Sequence, residues 1–154
     1  MLALSQTLER ETALVSRFVA LLTQEQEALT AAKPEELPAI HDEKASLIGQ
    51  LNTLESQRNQ LIGGAPTLPE KERMAQWLNA HPAETKIAGQ WARLIGMALD
   101  AKRLNELNAR LVKLHLDRTT QALAILTRRS EENTFYGANG QASQFTGSRI
   151  VDSA

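Results

Sequence analysis

The sequence predicts an all-α protein, an antiparallel helical hairpin followed by a short helix and one long helix with a flexible C-terminal tail. Three observations carry this. Only 4% of residues are aromatic, and the apolar set is mostly Leu, Ala and Ile, a composition suited to close helix-on-helix packing. Two long apolar stripes step by 4 and 3 residues on either side of a Lys33-Pro34 break. From Ala83 to about Arg129 no proline interrupts the chain, and Gly89 and Gly96 stand isolated.

The first helix is read from Leu4 to about Ala32, through Leu4, Leu8, Glu11, Val15, Phe18, Leu22, Glu25 and Leu29. The second begins at Pro34, a residue suited to a first helical turn, and runs through Leu37, Ile40, Lys44, Leu47, Leu51, Leu54, Arg58 and Leu61. It stops at Gly63-Gly64. Both stripes keep the ~3.5-residue period of a coiled-coil seam. An antiparallel register in which paired numbers sum to 69 places Phe18 on Leu51 and Leu8 on Leu61. It also sets Glu25 opposite Lys44 and Glu11 opposite Arg58. A shift of one heptad would leave these charges against apolar residues, so polar seam residues specify the pairing.

Thr67-Leu68-Pro69-Glu70 has capping-box spacing and opens a short helix through Met74, Trp77 and Leu78, which His81-Pro82 ends. The long helix that follows would measure roughly 70 Å, against roughly 40 Å for each hairpin helix, so the hairpin cannot cover it all. Its far part is nonetheless apolar. One stripe runs Leu94, Ala98, Ala101, Leu104, Asn108, Leu111, His115, Ala122 and Ile125; a second runs Leu107, Val112, Leu114, Leu116, Leu123 and Leu126. Two adjacent stripes need burial on a second side, by oligomerisation or by an incoming amphipathic helix. Asn105 and Asn108 are read as seam residues that specify register.

Charge divides along the chain. The net charge is −1, with −4 over residues 1–100, +5 over 101–130 and −2 from 131 onward. No global field favours nucleic acid or anionic lipid. Without cysteine there is no disulfide framework and no thiolate metal site. His41, His81 and His115 lie on different elements and lack Glu-x-x-His or His-x-x-x-His companions, so no metal and no cofactor are expected. Gly63-Gly64 lacks a following Gly-Lys-Ser/Thr. The N-terminus shows no basic leader or long apolar run and reads as mature sequence, and no window approaches a membrane span. A non-enzymatic cytoplasmic protein is expected.

Residues 131–154 read as a flexible tail after a helical domain of residues 1–130. Phe135, Tyr136 and Phe145 stand there among Gly, Asn, Ser and Gln that cannot pack a core. Phe135 and Tyr136 are read either as a cap on the helix end or as anchors for a partner's pocket.

Three stretches resemble the FlgN family of flagellar type III export chaperones. "EKASLIGQLNTLESQR", residues 43–58, resembles its second helix. "LNELNARLV", residues 104–112, followed by Arg118, Gln121, Ala122, Leu123 and Leu126, resembles its long helix. "YGANGQ", residues 136–141, resembles its Tyr-Gly-x-x-Gly-Gln tail, with Asn139 where an aspartate is common. The resemblance implies a chaperone that binds disordered amphipathic terminal segments of the hook–filament junction proteins FlgK and FlgL and delivers them to the export gate. It implies client binding by Leu107, Leu111, Val112, Leu114, Leu116, Leu123 and Leu126. It further implies docking of Phe135, Tyr136 and Gly137 on the cytoplasmic domain of the gate protein FlhA. Two other readings stay open: a chaperone for another late subunit such as the filament cap, and a self-associating coiled coil without a client. Homodimerisation of the client-free protein is compatible with either.

Overall fold

The computed structural model describes the backbone of residues 1–151 and the side chains of residues 1–134. The elements are α1 (Leu2–Thr30), a 3-10 turn at Pro34–Glu36, α2 (Leu37–Ile62), α3 (Glu70–Ala80) and α4 (Thr85–Val151). The fold is all-α. The chain divides into two compact units, Met1–Leu111 and Val112–Ala154.

In the first unit, α1 ends where Ala32 takes φ 52°, and the Lys33 amide donates to the Ala28 carbonyl at 2.9 Å. That left-handed residue with a 6→1 bond is a Schellman close, which reverses the chain within three residues. A non-glycine residue there bears a steric cost that the hairpin contacts offset. At the other end of α2, Gly63 and Gly64 take φ 66° and 91°, conformations open to residues without a Cβ.

α1 packs on two sides, which its length of apolar sequence permits. Leu4, Leu8 and Val15 form a core with Met74 of α3 and with Ile87 and Leu94 of α4. Leu21 joins Ile40 and Leu47 of α2, with Leu14 and Phe18 against them. Burying each such side chain contributes about 1.5–3 kcal/mol. The buried residues of α4 in this unit, Ile87, Leu94, Ala101 and Asn108, recur every seventh position.

The register is as expected. Lys44 bonds Glu25, and Arg58 bonds Glu11. Phe18 and Leu51 line one groove, away from Leu61. The last apolar layer differs from expectation. Leu61 is 45% exposed, and Ile62 instead packs against the Leu4–Leu8 core. A real helix drifts from a strict seven-residue repeat, and Met74 of α3 fills the place beside Leu8.

The capping box at Thr67 is also corrected. α3 starts at Glu70 with Pro69 as its N-cap residue and no side-chain cap. The residue before a proline is pushed out of the helical region, so Leu68 cannot open the helix. Glu70 is thereby freed for Arg58. α4 passes Arg129, where the sequence reading closes it, since no proline follows Pro82 to remove a helical amide. The expectations attached to Phe135, Tyr136, Gly137 and Phe145 concern side chains outside the described residues.

Candidate functional site

Two polar layers cross the first unit. In one, the guanidinium of Arg58 reaches Glu11 of α1 and Glu70 of α3, and lies 5.0 Å from the Trp91 ring of α4. One buried cation thus serves two carboxylates and a π face from all three neighbouring helices. Burial pushes the Glu11 carboxyl above its ordinary range; the hydrogen bond and charge of Arg58 oppose this only in part, and the charge of Glu55 adds to the rise.

In the other layer, Glu25 is the hub. Lys44 Nζ donates to both its oxygens at 3.0 and 3.2 Å, and His41 Nε2 lies 3.1 Å from Oε2. Asn108 of α4 donates from Nδ2 to Glu25 Oε1 at 2.9 Å and to the Leu22 carbonyl at 2.8 Å. Burial again pushes the carboxyl up. Here it is outweighed by the bonds from Lys44 and Asn108 and by the charges of Lys44 and His41, so the net shift is downward. Asn105 accepts from Lys44 at 3.4 Å, so both seam asparagines meet the hairpin's polar layer as the sequence suggested.

These layers fix structure and offer no reactive group. His41 belongs to the Glu25 layer, and His81 stacks on Trp77 with ring centroids 4.2 Å apart. Among the described residues, no cluster of three or more His, Asp or Glu could hold a metal ion, and no helix is long and apolar enough to cross a membrane. Sequence reasoning missed Glu70, Trp91 and His41 as members of the layers. Glu70 was assigned to a cap, and the other two sit on faces whose neighbours only packing reveals.

The second unit presents a different surface. Leu116, Leu123 and Leu126 are 63, 59 and 60% exposed, and Val112, Leu114 and Ile125 are exposed beside them. In the first unit, Leu107 is exposed and Leu111 half-buried. Every residue expected to bind a client is therefore at least partly accessible. Lys113, Arg118, Arg128 and Arg129 are exposed on the same stretch, against a single acidic Asp117. Such a face can bind an amphipathic segment through its leucines and steer acidic groups through its rim.

A family model described as FlgN protein matches residues 1–144. The chain is similar to the flagella synthesis protein FlgN of Salmonella typhimurium, 30% identical over 145 residues, covering 93% of this chain and 92% of that one. It is also similar to the proteins of the same name from Escherichia coli K12, at 26% identity over 93% and 92% of the two chains, and Proteus mirabilis, at 23% over 90% and 89%. No solved structure matches.

Proposed function

The chain belongs to the FlgN family, and from that premise we propose that it is a cytoplasmic export chaperone for flagellar subunits, acting by capture and not by catalysis. Its clients are the hook–filament junction proteins FlgK and FlgL, held through their disordered amphipathic termini. The observation that carries the reading is the exposed leucine face of residues 112–126. Leucines at this exposure leave an apolar surface for a partner helix to cover.

In this reading Leu107, Leu111, Val112, Leu114, Leu116, Leu123 and Leu126 receive the client's apolar residues. Residues 131–154 form the docking tail, in which Phe135, Tyr136 and Gly137 meet the cytoplasmic domain of FlhA. An aromatic anchor buries much area for few lost rotamers, so one tyrosine can carry such a contact.

Size-exclusion chromatography with terminal peptides of FlgK and FlgL tests the first part. A 1:1 complex is expected, and Leu116→Lys with Leu123→Lys should abolish it while circular dichroism is unchanged. A peptide that still binds the double variant moves the client site elsewhere. Tyr136→Ala should weaken FlhA binding and leave peptide binding intact; a variant that docks normally removes the tail from the mechanism.

A further inference from the structure

The first unit carries a second apolar surface, built from residues other than those of the leucine face. Two adjoining grooves, of about 240 and 330 Å³, run between α2 and α4 and share Val15, Leu51 and Ala98. α3 lines only one end, with Glu70 and Lys71; at the other end Ile48 is 46% exposed. From Trp91 to Asn105 the α4 wall runs about 21 Å, the length of an α-helix of about four turns. A hairpin and one long helix leave this side without the fourth helix that would close a bundle.

Charge decides what kind of helix fits. Three carboxylates, Glu11, Glu55 and Glu70, and three cations, Arg58, Lys71 and Lys102, line the two grooves and balance. The leucine face differs, since Lys113, Arg118, Arg128 and Arg129 accompany a single Asp117 and favour a segment with acidic flanks. A balanced groove gives such a segment no attraction and suits an uncharged one. Glu11 and Arg58 are 2 and 3% exposed, yet Glu11 Oε2 and Arg58 Nε have no hydrogen-bond partner. A carboxamide brought in by the occupant supplies both, its NH2 donating to the carboxylate and its C=O accepting from the guanidinium.

We propose that the α2–α4 groove holds a second segment of the captured client: an uncharged amphipathic helix bearing Asn or Gln, inward of the terminal segment that the leucine face takes. This rests on the capture reading above. A client held by its terminus keeps the rest of its disordered chain tethered at an effective concentration on the order of millimolar. Its own next segment therefore reaches the groove ahead of any third protein. Two modest contacts on one flexible chain then give firm capture, and each can be released separately at hand-over.

The test compares two probes on the full-length chain: a terminal peptide of FlgK, and a fragment extended inward by enough residues for a second helix of about four turns. The extended fragment should bind 1:1 and about tenfold tighter or more. Ala98 is exposed and lines both grooves, so Ala98→Glu should keep native helicity, remove that gain and leave the terminal peptide's affinity unchanged. Location is read independently. The chain has no cysteine, so Ile48→Cys carrying a photo-crosslinker marks the groove alone. It should cross-link to the inward part of the extended fragment and not to the terminal peptide. Equal affinities for the two probes, or cross-links confined to the terminal peptide, overturn the proposal and leave the leucine face standing. An Ala98→Glu chain that binds the extended fragment more tightly also overturns it, and gives the groove to a competitor of the client. If neither probe binds the native chain, the capture reading fails and takes this one with it.

Discussion

α4 is one helix with two kinds of surface. Over residues 85–111 its stripe is covered: Ile87, Leu94, Ala101 and Asn108 are at most 8% exposed. Over residues 112–134 leucines continue at helical spacing, yet Leu116, Leu123 and Leu126 are about as exposed as surface lysines would be. Leucine spacing does not separate the stretches. What separates them is whether the side chains are covered, so the same residue type is core in one and exposed in the other. A stripe read from periodicity tells where burial is wanted and not where it is provided.

The comparison can be broken hardest at Arg58. Arg58→Ala leaves Glu11 and Glu70 without their shared cation, and by analogy with other buried pairs should cost about 3–5 kcal/mol in urea unfolding. A loss below about 1 kcal/mol would mean that the covered stretch does not depend on this layer. Next comes a matched truncation. Leu94→Ala should cost about 2–5 kcal/mol, while Leu123→Ala should change stability by no more than about 0.5 kcal/mol and still impair client binding. Equal losses would show that residue 123 is buried in solution.

Asn108→Ala sharpens the boundary between the stretches. It takes a donor from the Leu22 carbonyl and from Glu25, and should cost about 1–3 kcal/mol. The smallest expected effect is a pair of opposing pH slopes. Glu25 has a folded pKa below its ordinary 4.5, so its contribution is present above 4.5 and lost as pH falls through the lowered value. Glu11 has a raised folded pKa, so its contribution is present below 4.5 and lost as pH rises through the raised value. Thermal melts across the acid range should show Glu25→Gln flattening the acid-side loss and Glu11→Gln flattening the decline toward neutrality. Slopes of one sign in both variants would contradict the distinction between the layers.

Legibility in the sequence followed the same divide. Glu11, Glu25, Lys44 and Arg58 could be paired because each interrupts an apolar stripe, and a charge in a seam must find its opposite. Asn108 was legible for the same reason. The Arg58–Glu70 contact was not, since Glu70 opens a helix where acidic residues are common and its partner lies across a loop. Leu61 was misplaced because a heptad written on paper has no drift, and because Met74 arrives from a third helix. For the leucine face, the sequence showed surplus apolar surface, and the structure shows it exposed.

The seven-residue spacing of Ile87, Leu94, Ala101 and Asn108 has a mechanical consequence. A straight α-helix slips about 20° per heptad against such a repeat, so three heptads accumulate about 60°. All four side chains stay buried, so over residues 87–108 α4 keeps one face against its neighbours. Angular phase is therefore what this stretch stores. A single alanine inserted between Leu94 and Ala101 would add no charge and no bulk, yet rotate everything beyond it by about 100°. Asn108 would then turn away from Glu25, and the helix would lose its seat without losing a single residue of its core.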